Sequence, residues 1–171
     1  MRRVRYSVAM SLDGFIAGPQ GEADWIGMDP SVDVAAYFKK FYAQFDAVLM
    51  GRRTYEAVGG PMQGMATYVF SRTLPSGSRN GVTVLGEDGT NRLAELRAED
   101  GKDIWLFGGG ALFGSLASAG LVDSVELGVI PVMLGAGRPV ISGNTTRVKL
   151  RMTDCDTSPG GGLSVKYAVV A

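Results

Sequence analysis

The chain has 171 residues, 46% hydrophobic and 20% charged, which fits one globular domain with its own hydrophobic core. Its 17 basic and 17 acidic residues give a formal net charge of zero, so no overall field favours nucleic acid or an anionic membrane. The absence of histidine and the single cysteine, Cys155, exclude a Ser–His triad, a zinc cluster or other His-ligated metal and an intrachain disulfide, and they favour the cytoplasm.

Strand and helix signals alternate along the first two thirds of the chain. The β-prone residues 4–10 predict a first strand, and a long loop rich in glycine, proline and aspartate follows over 11–25. Residues 31–45 predict a helix with Ser31 as N-cap and with aromatic residues that we interpret as core-facing. The later elements, in chain order, are a strand at 46–51, a helix at 52–58, strands at 66–74 and 81–86, a helix at 90–100, a strand at 103–107, a helix at 111–120, a strand from Val122 and two strands within 147–170.

Strands that alternate with helices pair in parallel, whereas two consecutive strands joined by a short turn pair antiparallel. The sequence therefore predicts an α/β protein with one domain over residues 1–171. Its sheet is expected to be mixed, mostly parallel and eight-stranded, flanked by about four helices and closed by a C-terminal antiparallel hairpin.

Three segments share one arrangement, in which an apolar strand ends and glycine or polar residues lead into a turn or helix. Exposed N–H groups at a helix start attract anions, glycine lets the backbone approach a ligand, and arginine and hydroxyl groups add hydrogen-bond donors. Each segment alone is also compatible with an ordinary turn, but three together favour a ligand with several phosphates. The segments are Gly51-Arg52-Arg53-Thr54, Ser71-Arg72-Thr73 and Gly108-Gly109-Gly110.

The motifs "SLDGFIAG", "LMGRRTYEAV", "YVFSRTL" and "LFGGGALFGSL", in this order, resemble the dihydrofolate reductase-like fold. The later stretch "VDSVELGVIPVMLGAGRPVI" is similar to the reductase domain at the C-terminus of the bifunctional riboflavin-biosynthesis deaminase–reductase. The resemblance covers nearly the whole chain, which is identified as a free-standing bacterial member of that reductase family. Deaminase sequence is absent.

The resemblance implies NADPH as cofactor and assigns residues to its parts. The nicotinamide carboxamide is expected at Ala9 and the backbone of Ile16 and Ala17, and the adenosine 2′-phosphate at Ser71, Arg72 and Thr73. The remaining phosphate contacts are expected at Gly51, Arg52, Arg53, Thr54, Gly108, Gly109, Gly110, Ala111 and Leu112.

The substrate half of the site departs from folate reductases. Val34 stands where those enzymes carry a pterin-binding carboxylate, with Asp33 one residue away, and Met65 stands where they carry a folate-binding arginine. A folate carboxylate would lose its charged partner there. The pocket is expected between the 11–25 loop and the 31–45 helix, with the lining residues Ser11, Asp13, Trp25, Val34 and Phe38.

The expected reaction is hydride transfer from NADPH to a C=N or C=O group of a small pteridine- or pyrimidine-like compound. The alternatives are an NADPH-binding module without turnover and a true dihydrofolate reductase. The candidate proton donors are Asp13, Asp24, Asp29 and Asp33, with Asp33 preferred among them as the catalytic residue and ordered water as the competing donor. An acidic residue in a helix's first turn is, however, also favoured by the helix dipole alone.

We also expect a homodimer, partly because free-standing relatives in the family tend to pair. The apolar stretch 125–141 adds a reason, since a small sheet with few helices would leave it uncovered. No nucleic-acid or membrane partner is expected.

Overall fold

The computed structural model describes residues 1–27, 30–143, 147–158 and 160–170. Strands and helices alternate within that part of the chain up to the C-terminal pair of strands. The strands are β1 (Val4–Ser11), β2 (Phe15–Ala17), β3 (Phe45–Gly51), β4 (Ala66–Phe70), β5 (Gly77–Arg79), β6 (Val82–Leu85), β7 (Asp103–Gly108), β8 (Ser124–Ile130), β9 (Arg138–Pro139), β10 (Lys149–Thr157) and β11 (Leu163–Val170). The helices are α1 (Val34–Tyr42), α2 (Arg52–Val58), α3 (Gly89–Ala98) and α4 (Gly110–Ser118).

The main sheet has nine strands in the order β10-β11-β8-β1-β7-β3-β4-β6-β5. The six central strands, from β8 to β6, all run parallel to their neighbours. The C-terminal strands β10 and β11 form an antiparallel hairpin, and β11 pairs antiparallel with β8. This confirms the predicted α/β class, the mostly parallel sheet, the helix number and the C-terminal hairpin.

The predicted strand number was one too low for the main sheet. The missing strand is β5, whose three residues Gly77, Ser78 and Arg79 are exposed and pair antiparallel with β6 at the sheet edge. Such a short polar segment has no apolar alternation that a sequence pattern would detect. The strands β2 and β9, which form a separate two-stranded sheet, were also missed because they have only three and two residues.

The first helix differs from its prediction in length, cap and packing. It covers Val34–Tyr42, and its N-cap is Asp33, whose side chain accepts a hydrogen bond from the Ala36 N–H at 2.9 Å, rather than Ser31. The aromatic residues were not all core-facing: Phe45 is buried, but Tyr37 and Phe38 remain 52% and 37% exposed. The wrong expectation arose because aromatic residues at helical spacing predict a common face but not what covers it.

Two apolar layers hold the sheet. On one face, Leu93 and Leu96 of α3 and Phe113 and Leu116 of α4 pack against β1, β3 and β7. The other face packs Phe41 and Tyr42 of α1 against a second buried cluster that contains Trp105. The layers leave the two ends of the parallel strands uncovered, and these ends differ in chemistry.

Charged side chains collect at the amino ends of the parallel strands. Arg5, only 7% exposed, pairs with Glu126 at 2.6 Å and Asp103 at 3.2 Å. Arg97 pairs with Asp123 at 2.7 Å nearby. These buried and partly buried charges satisfy one another, as ions removed from water must. No helix in the described part of the chain has the length and apolar character needed to cross a bilayer.

Candidate functional site

The carboxyl ends of the parallel strands lie along one edge of the sheet and carry the segments singled out in the sequence. Strand β3 ends at Gly51, β4 at Phe70 just before Ser71, and β7 at Gly108. Because β3 lies between β7 and β4, these three segments are immediate neighbours. In open α/β sheets, ligands bind at this edge.

A direct hydrogen bond joins the first two segments. The Arg52 guanidinium donates from Nη1 to Thr73 Oγ1 at 2.8 Å, and it also contacts Glu56 of the same helix at 2.6 Å. The Ser71 hydroxyl lies 3.4 Å from Thr73 Oγ1 and accepts hydrogen bonds from the N–H groups of Thr73 and Leu74. The structure thus brings a cation and two hydroxyl groups together at the ends of β3 and β4.

Glycine backbone forms the centre of the edge. A Cβ placed on Gly109 would lie 3.7 Å from Thr54 Oγ1 and 3.9 Å from Ile16 Cδ1. A Cβ on Gly51 would lie 3.8 Å from the Gly108 carbonyl oxygen. The third segment therefore lies near both the first segment and β2, so the four regions expected around the cofactor are neighbours at this edge, and the surface that they form is called the cleft below.

The start of α4 is packed tightly on the strand β9. A Cβ on Gly110 would lie 2.3 Å from the Pro139 carbonyl oxygen, which excludes any side chain at that position. The Gly110 carbonyl accepts a hydrogen bond from Ser142 N–H at 3.1 Å. Ala111 and Leu112 follow in the first turn of α4, Ala111 exposed and Leu112 packed partly on the core.

The two arginines beyond Arg52 face solvent. Arg53 and Arg72 are both exposed, and their guanidinium groups have no hydrogen-bond or ion-pair partner among the described residues. At the ends of neighbouring strands β3 and β4, they leave positive charge available to an anionic ligand.

The segments expected near the nicotinamide lie on the other side of the glycines. Ala9 is in β1, where it pairs with Gly128 of β8, and Ile16 and Ala17 form most of β2. The pairing of β2 with β9 holds Ala17 opposite Arg138. The position of β2 therefore depends on the loop that follows β8.

Asp13 links the loop between β1 and β2 to the loop that follows β8. Its carboxylate accepts hydrogen bonds from Ser11 Oγ at 2.7 Å, Leu134 N–H at 3.1 Å and Gly135 N–H at 2.7 Å. These donors, the Ser11 hydroxyl first among them, hold the pKa of Asp13 below its ordinary value. An aspartate held in this way is a poor proton donor, and its contacts place it in a structural role.

The other predicted pocket residues lie on the loop and on α1. Trp25 is partly exposed, and its indole N–H donates to the Glu22 carbonyl within its own loop at 3.3 Å. Val34 and Phe38 are 42% and 37% exposed on α1, beside the capping residue Asp33. The candidate donor Asp24 is exposed, and Asp29 lies outside the described residues.

A cavity of about 430 Å³ adjoins the Ser71 segment and was not anticipated from the sequence. The two are connected by Leu85, which lines the cavity and whose carbonyl accepts a hydrogen bond from Ser71 N–H at 3.0 Å. The sequence does contain a pattern that could have indicated this cavity: "GEDG" follows an apolar strand and precedes a helix, as in the three segments chosen above. The cavity is lined by Ser76, Val84, Leu85, Gly86, Glu87, Asp88, Gly89 and Arg92.

Comparison with known families identifies this arrangement. The family model described as "RibD C-terminal domain" matches residues 2–163. The chain belongs to the RibD C-terminal domain family. The uncharacterized protein YyaP of Bacillus subtilis (strain 168) is 32% identical over 182 residues, which cover 97% of this chain and 94% of YyaP.

Solved structures share the fold of this RibD C-terminal domain protein. A Shewanella sp. PV-4 protein, provisionally assigned to riboflavin biosynthesis, matches with a TM-score of 0.81, 22% identity and full coverage of both chains. A second match is the Thermotoga maritima diaminohydroxyphosphoribosylaminopyrimidine deaminase/5-amino-6-(5-phosphoribosylamino)uracil reductase. Its TM-score is 0.73 and its identity 18%, over 99% of this chain and 57% of that one. Dihydrofolate reductase from Enterococcus faecalis, complexed with NADP(H), also matches with a TM-score of 0.73 and 18% identity, over 99% of this chain and 97% of that one. The predicted dihydrofolate reductase-like fold is confirmed.

The contacts of Asp13 lead to a prediction about the loop after β8. In Asp13→Asn, one carboxylate oxygen becomes an NH₂ group, which cannot accept a hydrogen bond, so the N–H of either Leu134 or Gly135 loses its partner. We expect amide hydrogen exchange, measured by NMR, to accelerate by about tenfold at the one of these two residues that loses its partner. Asp24→Asn, on the same loop but exposed, should leave both rates unchanged. Equal protection in both variants would contradict the proposed link.

Proposed function

We propose that this protein is an NADPH-dependent reductase that transfers hydride to a C=N or C=O group of a small pteridine- or pyrimidine-like compound. The observation that carries the proposal is the hydrogen bond from Arg52 to Thr73, together with the position of Gly109, which faces Thr54 and Ile16 closely enough that an added Cβ would touch both. Through these contacts, segments that are far apart in the sequence lie together in the cleft. Each segment contributes hydrogen-bond donors suited to phosphate.

The residues of the cleft fit a dinucleotide phosphate. Arg53 and Arg72 supply unpaired cations, and Ser71, Thr73 and Thr54 supply hydroxyl groups. The chain at Gly108 and Gly109 has no side chain that would hinder the approach of a pyrophosphate to the start of α4, a helix of nine residues. The likeness in fold to a dihydrofolate reductase complexed with NADP(H) supports the same cofactor.

In this proposal the cofactor supplies the hydride, and the protein positions it and excludes water. Arg72, Ser71 and Thr73 hold the adenosine end, and the glycines of β7 and α4 hold the pyrophosphate. The backbone of β2, fixed by its pairing with β9, orients the nicotinamide carboxamide at Ile16 and Ala17. The reduced substrate also takes up a proton, which ordered water delivers, with Asp33 as the alternative donor.

The substrate side supports a small heterocycle rather than folate. Met65, at the position of the folate-binding arginine, is partly buried and packs on the apolar cluster around Trp105. Val34 and Phe38 present an apolar and aromatic surface on α1 without a carboxylate on the same turn, apart from the cap Asp33. A flat, weakly polar ring would pack there.

Cofactor oxidation tests the proposal. Incubation with NADPH and a panel of pterins, ribosylated aminopyrimidines and small cyclic imines should give oxidation, measured at 340 nm, with at least one member. Tight NADPH binding without oxidation across the panel would favour a binding module without turnover. Turnover of dihydrofolate would overturn the assignment of a substrate other than folate.

We predict that NADPH binds about ten to a hundredfold more tightly than NADH. The unpaired Arg72, beside the hydroxyl groups of Ser71 and Thr73, would make a charge-assisted contact with the 2′-phosphate worth roughly 1.5–3 kcal/mol. Calorimetric titration measures both dissociation constants. In Arg72→Ala the preference should disappear, whereas Arg79→Ala, an exposed arginine on β5, should keep it. A preference for NADPH over NADH that persists in Arg72→Ala would contradict this prediction.

Asp33 offers a second test, because asparagine caps a helix about as well as aspartate. The variant Asp33→Asn should therefore keep α1 intact and keep NADPH affinity within about twofold, a change of only ~0.4 kcal/mol. Since the Asp33 side chain is already engaged with Ala36 N–H, we expect turnover to be retained as well. A fall in kcat of roughly a hundredfold or more, with an unchanged melting temperature, would instead assign the proton to Asp33.

We also propose a homodimer, centred on the edge strand β10 rather than on strand β8 of the stretch 125–141. Strand β8 is covered by β11 and β1, and its Val125 and Val129 are buried. Exposed apolar side chains do occur on the edge strand β10, at Leu150 and Met152, and Met133 in the loop after β8 is 71% exposed. Edge strands of this length invite pairing with a second chain.

Light scattering at micromolar concentration should give a mass about twice the 18.0 kDa of one chain. A charged residue in place of Met152 should shift that mass toward the monomer, because an unpaired charge at an apolar interface is costly. A wild-type mass near 18.0 kDa would be evidence against the dimer.

A further inference from the structure

Arg138 carries a buried nitrogen without a partner. Its Nε atom is inaccessible to solvent and has no hydrogen-bond acceptor, and no other buried side-chain nitrogen or oxygen of the described residues shares this condition. By contrast, the buried arginines Arg5 and Arg2 donate to carboxylates at the opposite end of the sheet. Leaving a buried guanidinium donor unpaired costs free energy, and because Arg138 as a whole is only partly buried, a ligand can still reach the other nitrogens of the same guanidinium.

The position of Arg138 connects it to the proposed cleft. In β9 it pairs with Ala17 of β2, and the next residue, Pro139, is the one whose carbonyl packs on Gly110 at the start of α4. Arg138 therefore lies between the segment proposed for the nicotinamide and the one proposed for the pyrophosphate.

The surroundings of the guanidinium leave its charge unneutralised. The group extends over Gly21, where a Cβ would lie 3.3 Å from Nη2 and 3.5 Å from Nε. Glu22, in the same turn, uses its carboxylate to accept from Gln20 N–H at 2.8 Å. Among the described residues no carboxylate forms an ion pair with Arg138. The absence of a side chain at Gly21 gives the guanidinium the space that it occupies.

We propose that Arg138 is an oxyanion-binding residue of the cleft and that the ligand presents a phosphate group to its guanidinium. The planar fork of N–H donors suits phosphate, and a cation without an internal acid partner favours an anionic ligand. The inference rests on the proposed function for the identity of the cleft. The phosphate has two possible sources, the cofactor or an anionic substrate, and the experiment distinguishes them.

The first measurement uses the free protein and inorganic phosphate. The Arg138 Nε–H signal, assigned by ¹H–¹⁵N NMR through its loss in Arg138→Met, should move downfield as phosphate is added. The dissociation constant of phosphate, followed on neighbouring amide signals, should rise at least tenfold in Arg138→Met and by a smaller factor in Arg138→Lys. The matched control Arg79→Met should stay within twofold of the wild type. Melting temperatures establish that the variants fold. If Arg138→Met does not fold, Arg138→Lys, which also lacks the guanidinium Nε–H, supplies both the assignment and the affinity comparison.

The second measurement identifies the source. If the phosphate belongs to the cofactor, Arg138→Met weakens NADPH at least tenfold, and saturating NADPH abolishes the phosphate-induced shift in the wild type. If it belongs to the substrate, NADPH affinity is unchanged, and phosphate still binds the NADPH-saturated wild type but not the variant. An unmoved Nε–H signal, together with equal affinities of wild type and Arg138→Met for phosphate and for NADPH, would overturn the inference. Failure of the wild type to bind NADPH at all would refute the proposed function, while the phosphate titration would still decide the role of Arg138.

Discussion

The contact between Gly110 and Pro139 is the constraint on which the arrangement of the cleft depends. No Cβ fits at Gly110, since it would lie 2.3 Å from the Pro139 carbonyl oxygen. This contact joins the start of α4 to β9, and β9 in turn pairs with β2. The proposed pyrophosphate and nicotinamide segments are thereby held at a fixed distance from each other. Even the smallest side chain at Gly110 would have to displace backbone, because a side-chain rotation could not relieve the overlap.

The distribution of charge follows from the same parallel sheet. At the amino ends of the strands, buried arginines and acids neutralise one another, as Arg5 does with Glu126 and Asp103. At the carboxyl ends, Arg53, Arg72 and Arg138 have no acid partner among the described residues. A chain with a formal net charge of zero thus places three arginines without a described acid partner at the edge that carries the candidate site. This local separation, which total charge conceals, suits a ligand with several phosphates.

Much of the fold could be predicted from the sequence, because long apolar strands and glycine-punctuated turns give strong local signals. The parts that could not be predicted depend on contacts distant in sequence. Asp13, expected in the substrate pocket, bonds to residues 134–135, which no pattern around "SLDG" reveals. Likewise, the helical spacing of Tyr37 and Phe38 was visible, but their exposure depends on which elements cover α1.

The candidate site, like the fold, could be predicted only in part from the sequence. Three strand-to-turn segments were found because each carries its own local pattern, and the structure brings them into one cleft. Arg138 was overlooked because an arginine in a proline–glycine loop resembles any solvated loop residue. Its significance becomes visible only when the burial of Nε and the neighbouring Ala17 and Gly21 are known.

A crystal structure of the protein with NADPH would show where the cofactor binds. We expect the pyrophosphate against Gly108–Gly110, the 2′-phosphate beside Ser71–Thr73 and the nicotinamide beside Ile16 and Ala17. Density for the nucleotide elsewhere would contradict it, for example in the second cavity of about 460 Å³ near Arg147 and Lys149 at the amino end of β8. So would crystals that contain no nucleotide after growth at millimolar NADPH.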